Sequence, residues 1–333
     1  MLRSRHTRRR DFITLIGSTA VFSPLAAFAQ NASKVYRVGL LSAGALVGEN
    51  SPFGVALSRG LAQTGFLIDK NLVFDRRGAG GHVDHLPQLV AELVASTVDV
   101  IVTQGYPATL AAKQGTTLPV VSVNSGDPVG TGLVGSLARP GGNLTGISDV
   151  SAELAPKRLE LLTQFAPNLR RVAVLWNADD LGMTLRYRAL EAGAKVLGVS
   201  VQPLGVREPN DFEQAFGAMN RDMPDAILMV TNSLTILNRK RVFEFAAAHR
   251  LPAIYEFAFL VRDGGLMSYG PDDGESFGRV AALVGRILKG ATPAELPFEQ
   301  PTLFRFVVNA KTAKSIGFEV PALLLARADE VIE

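Results

Sequence analysis

Residues 129–148 read "VGTGLVGSLARPGGNLTGIS", and the role of its glycines decides between two architectures. Gly130, Gly132 and Gly135 spell G-x-G-x-x-G. In a dinucleotide site that spacing lets the backbone approach a pyrophosphate seated on the amino end of the next helix. A strand must then run directly into the first glycine and a helix must leave the last. Here the strand-like "LPVVSVN" (118–124) is separated from Gly130 by "SGDPV", and only "SLAR" follows Gly135 before Pro140, Gly141 and Gly142. No helix long enough to present a dipole fits there. The glycines therefore read as turns in a long connection, 125–148, passing from one lobe to another.

Working outward, short β-branched runs alternate with helical patterns on both sides. Before the connection come "YRVGLLS" (36–42), a helix opened by Ser51 as N-cap with Pro52 behind it, "NLVFDRR" (71–77), "HLPQLVAELVAS" (85–96), "VDVIVTQ" (98–104) and "PATLAAKQG" (107–115), with "LPVVSVN" closing the series. After it come "RRVAVLWN" (170–177), "VSVQPLGV" (199–206), "DAILMVTN" (225–232) and "PAIYEF" (252–257), with helical segments between. Nearly all-apolar strands separated by helices imply parallel sheets covered on both faces. Two series imply two lobes in an α/β fold, which suits 333 residues at about 150 per domain. Turn-rich stretches near 262–273 and 292–301 mark two further passages between lobes. No internal repeat is convincing at the sequence level.

The first thirty residues have the parts of an export signal. Arg8, Arg9 and Arg10 precede an apolar stretch, 12–22, too short to span a bilayer, and Ala27-Phe28-Ala29 offers a small-x-small cleavage site. Arg9-Arg10-Asp11-Phe12-Ile13 resembles a twin-arginine leader. Cleavage after Ala29 leaves 29 basic against 30 acidic side chains, so the formal +3 of the whole chain belongs to the leader. The argument from a basic chain to nucleic acid thereby disappears, and no nucleic-acid partner is expected. With no cysteine, the chain forms no disulfide and carries no lipid on an amino-terminal cysteine. These features point to a free periplasmic protein.

Four longer phrases carry a family resemblance: "RRRDFITLIG", "SGDPVGTGLVGSLARPGGNLTGIS", "RRVAVLWN" and "AKTAKSIGFEVPALLLARADEVIE". Together they resemble the substrate-binding proteins of ABC transporters of the tryptophan/tyrosine type, across essentially the whole chain. The resemblance implies a type 1 periplasmic binding protein fold, with two Rossmann-like lobes joined by three crossings and a ligand cleft between them. The expected limits are 1–29 for the signal peptide, 30–147 plus about 266–292 for lobe 1, and 148–265 plus about 300–333 for lobe 2. The resemblance also implies an importer component, monomeric, that captures an aromatic amino acid or related aromatic compound and delivers it to a permease in the inner membrane.

Open parallel sheets bind ligands beyond the carboxyl ends of their strands. Those ends supply the expected contacts: Ser42, Ala43, Gly44, Gln104, Gly105, Tyr106, Ser125, Gly126 and Asp127 in the first lobe, and Asn177, Asn232, Ser233 and Glu256 in the second. Ser42, Ser125, Asn177 and Ser233 serve equally well as helix caps. An amino-acid carboxylate is expected around Ser42, Ser125 and Gly126, and its ammonium on Asp127 or Glu256. Once the leader with His6 is removed, His82-x-x-His85 has only His249 as a third histidine and reads as a solvated turn, so no metal and no cofactor is expected. No nucleophile elbow and no phosphate-binding P-loop occurs, which leaves no enzyme motif and excludes the transporter's ATPase. Two other functions remain open: a periplasmic sensor domain, and an exported NAD(P)-dependent oxidoreductase using the glycine motif.

Overall fold

In Tyr36–Ser42 the residues Val38, Leu40 and Leu41 are all buried, and the run forms β1. The computed structural model describes residues 34–333, so the leader read at 1–29 lies outside the described residues. β2 (Leu72–Gly78), β3 (Val100–Gln104), β4 (Val120–Val123) and β5 (Leu144–Ile147) complete a parallel sheet of order β2-β1-β3-β4-β5. A second sheet holds β6 (Arg171–Asn177), β7 (Ser200–Val206), β8 (Ala226–Met229), β9 (Ala253–Tyr255), β10 (Met267–Pro271), β11 (Phe304–Asn309) and β12 (Glu330–Ile332). Its order is β12-β11-β10-β9-β8-β6-β7, parallel throughout except where β11 runs antiparallel beside β10.

The run β7-β6-β8-β9-β10 repeats the order of the first sheet. Each half is thus the same doubly wound unit, a repetition carried by topology and not by matching residues. In such a unit the switch point lies between the first and third strands, where successive connections leave toward opposite faces. That places two switch points in the molecule, at β1/β3 and at β6/β8.

Each sheet is covered on both faces. Leu57 and Leu61 of the helix Pro52–Gln63 join Val280 and Val284 of the helix Asp273–Leu288 on one face of the first sheet, and Val90, Leu93, Ala108 and Ala112 cover the other. The second sheet is packed by Leu159, Leu162 and Leu190 on one side and by Phe212, Met219 and Val242 on the other. The chain crosses between halves three times. The first crossing is short, at 148–150, because β5 still belongs to the first sheet. The connection 125–148 is therefore a turn-rich loop followed by an edge strand, and only its last residue begins the passage. The second crossing follows β10, which pairs in the second sheet, and leads into the helix Asp273–Leu288 on the first. The third passes Glu299, whose backbone bridges Ile147 before the chain enters β11. Among the described residues no helix is long and apolar enough to cross a membrane.

β5 depends on one close approach. A Cβ at Gly146 would stand 2.2 Å from the carbonyl oxygen of Ser122 on β4. Gly146→Ala is expected to cost about 1–3 kcal/mol, because the edge strand must shift away from β4 to admit the methyl group. Denaturant unfolding reads this directly, and an unchanged midpoint would show that the two strands part without cost.

Candidate functional site

The two switch points face each other across a cavity of about 350 Å³. From the first half, the ends of β1 and β3 bring Ser42, Ala43, Gly44, Gln104, Gly105 and Tyr106 to its wall. From the second, the ends of β6 and β8 bring Asn177, Asn232 and Ser233. Nine of the residues expected from strand ends therefore meet in one place. The halves touch around it: a Cβ at Gly44 would lie 3.2 Å from the Ser233 hydroxyl, and one at Gly81 would lie 3.2 Å from Leu237 Cδ1.

Four expected residues do not line the cavity. β4 lies one strand beyond the switch point, and although Asn124 at its end reaches the wall, the loop then turns away. Ser125 is fully buried, the Gly126 N–H donates to Asp149, and Asp127 caps its own turn by accepting from the Val129 N–H at 3.0 Å. Gly130, Gly132 and Gly135 follow in turns with no helix behind them, so the dinucleotide reading has no structural counterpart. Glu256 fails for a different reason. Strand-like alternation at the end of β9 aims Phe257 at the cavity, while Glu256 is consumed by arginines behind it.

That consumption forms a buried tetrad. Arg158 donates to Glu256 Oε1 at 3.0 Å, Arg186 donates to Glu256 Oε2 at 2.6 Å, and Arg186 also pairs with Asp149. All four side chains are at most 2% exposed. Glu256 further accepts from the Thr231 N–H, and Arg158 donates to the carbonyls of Ser151 and Tyr269. Two cations and two anions close this network at zero net charge.

A model of the family described as ABC transporter substrate binding protein matches residues 54–332. The chain belongs to the ABC transporter substrate-binding protein family. A tyrosine-binding protein of Clostridioides difficile is 23% identical over 262 residues, covering 78% of this chain and 75% of that protein. The crystal structure of an ABC domain from Streptococcus pneumoniae in complex with L-Trp superposes with a TM-score of 0.82 at 25% identity, covering 90% of this chain and all of that one. A ligand-free, open substrate-binding protein with adhesive properties from Clostridium difficile gives 0.64 at 23% identity, covering 90% of this chain and 99% of the other. The substrate-binding protein is accordingly a type 1 binding fold and a binder of ligand, not an enzyme.

Its cavity is electrically polarised by two helix ends. The helix Tyr106–Gly115 starts at the β3 end without any side-chain cap, and Pro107 offers no N–H, so its positive end stays open toward the cavity. The helix Leu181–Leu197 starts at the β6 end and is capped by Asp180, whose carboxylate accepts from the Met183 N–H at 3.3 Å. Asp180 is 2% exposed and lines the cavity. Burial pushes its carboxyl above the usual aspartate range, against the pull of Arg186. Tyr106 is pushed up as well, by burial and then by the charge of Asp180 facing it. Strand-end reading stopped at Asn177 and missed Asp180 three residues on. The signal available was an N-cap aspartate directly after the switch-point strand.

The same stopping point missed the apolar wall. Phe257, Phe259, Met183, Leu234 and Ile236 line the cavity on the second half, with Val83 opposite. Among the described residues, no group of three or more His, Cys, Asp or Glu is placed to hold a metal ion.

Proposed function

We propose that the protein is the extracytoplasmic receptor of an ABC importer and that its cleft takes an aromatic amino acid or a closely related aromatic compound. The observation that carries this reading is the polarity of the cavity: an open helix amino end on one wall, a buried carboxylate on the other, and Phe257 and Phe259 beside them. A zwitterion satisfies both ends at once. Its carboxylate meets the N–H groups at the start of the helix Tyr106–Gly115, and its ammonium meets Asp180. The two charges sit on different halves, so the ligand fastens the lobes together and the closed arrangement follows from binding. The volume agrees with the lower part of the usual range for small-molecule sites. The tyrosine-binding relative and the Trp-bound relative support the aromatic class.

The expected route is export by the leader at 1–29, residence in the periplasm as a monomer, and delivery of ligand to an inner-membrane permease. A thermal-shift screen over the common amino acids and aromatic acids tests the ligand class. Tyrosine, tryptophan or phenylalanine at a hundredfold excess over Kd should add about 2.7 kcal/mol to stability. Small-angle scattering should show a smaller radius with the ligand that gives the shift. A screen in which only aliphatic amino acids stabilise the protein would sink the aromatic reading.

A further inference from the structure

Asp180 has no direct ion pair among the described residues, although Arg186 is near enough to attract it. Arg186 lies within the zero-charge tetrad with Arg158, Asp149 and Glu256. At the rim, Arg207 pairs with Asp179 at 3.2 Å and Arg239 pairs with Asp263 at 2.7 Å. Its partners are neutral donors: the N–H groups of Gly182 and Met183 and the Asn232 amide at 3.4 Å. Among the described residues that line the cavity, Asp180 is thus the carboxylate left without an ion pair, and it is nearly out of water. A carboxylate so buried and held by neutral donors gains from a cation or from a proton.

We propose that capture of an ammonium-bearing ligand is coupled to release of a proton from Asp180, so that the cleft trades one cation for another. This rests on the ligand reading given above. Where the pH lies below the raised pKa of the empty cleft, a proton neutralises the carboxylate. When the ligand's ammonium arrives at Asp180 the carboxylate ionises and its proton passes to solvent; the ammonium balances Asp180, and the ligand's own carboxylate is met by the open end of the helix Tyr106–Gly115. The elevation of the Asp180 carboxyl by burial agrees with this exchange. The sign follows: ligand affinity is full where Asp180 is already ionised, and falls as pH drops through the elevated value of the empty protein. The fall approaches about tenfold per pH unit where one whole proton is exchanged. None of the cavity-lining residues is a histidine, and Tyr106, the titratable group facing Asp180 from the first half, is pushed up and stays neutral throughout.

Calorimetry with L-tryptophan and L-tyrosine tests the coupling at pH 7, 6, 5 and 4.5, each in buffers of low and high ionisation enthalpy. The expected result is an affinity that drops on acidification, with a buffer-dependent heat that reports proton release over the same interval. Asp180→Asn keeps an oxygen to cap Met183, and its residual binding should be flat with pH and free of buffer-dependent heat. Binding at pH 7 that stays equally tight to pH 4.5 with no proton release overturns the coupling alone. A parent-like pH slope in Asp180→Asn does the same, because another group would then carry the proton. Failure of both amino acids to bind at pH 7 overturns the ligand reading and the coupling with it.

Discussion

Asp180→Asn is expected to weaken binding of an aromatic amino acid by about 2–5 kcal/mol, the range for breaking a buried charge pair, or roughly thirtyfold to several-thousandfold in Kd. The substitution conserves volume and leaves an oxygen for the Met183 N–H, so the helix Leu181–Leu197 keeps its cap. What disappears is the negative charge opposite the open end of the helix Tyr106–Gly115. A ligand with the same ring and carboxylate but no amino group has nothing to lose at Asp180, and its binding to the variant should be unchanged or tighter. The contrast between the two ligands therefore isolates the charge from any general loosening of the cleft. Equal losses for both would mean that Asp180 shapes the pocket without reading the ammonium.

The location of this residue shows what sequence can and cannot deliver. β1 and β6 were legible because Val38, Leu40 and Leu41, and Val172, Val174 and Leu175, are contiguous apolar runs with no competing helical period. Ser51 was legible because a cap acts on its own next turn, here on the Gly54 N–H at 3.1 Å. β5 was not, since four residues containing Gly146 carry little strand signal, and its glycine answers to Ser122 on another strand. β10 and β11 were obscured in the same way, by Gly270 and Pro271 at the end of the one and by pairing that only the third crossing creates. Local rules reveal local causes.

The candidate site divides along the same line. Strand ends at the switch points can be named once the strands are named, which is why Ser42, Gly105, Tyr106, Asn177 and Ser233 were found. Whether a carboxylate is free depends on partners far away in the chain. Glu256 looked available beside Tyr255, but its two arginines come from 98 and 70 residues upstream. Asp180 lies past the strand end and was not named at all, and its lack of an ion pair shows only once the cavity's walls are assembled.

Glu256→Gln is expected to destabilise the protein by about 3–5 kcal/mol, the cost of leaving a buried ion network with an uncompensated charge. Arg158 and Arg186 would then share Asp149 as their only carboxylate in the network, with both guanidiniums still charged because arginine does not lose its proton in proteins. The amide nitrogen would also place a donor against at least one guanidinium donor, adding an unsatisfied buried group. A second substitution separates charge imbalance from lost packing. Removing the excess cation with Arg158→Met in the Glu256→Gln background restores neutrality between Arg186 and Asp149, so the double variant should recover much of the loss, less the bonds Arg158 gave to Ser151 and Tyr269. Denaturant unfolding of the parent, both single variants and the double variant closes the cycle. Additive losses would show that the tetrad does not act as one electrostatic unit, and a Glu256→Gln variant as stable as the parent would show that its charge is not needed to hold the arginines behind the cleft.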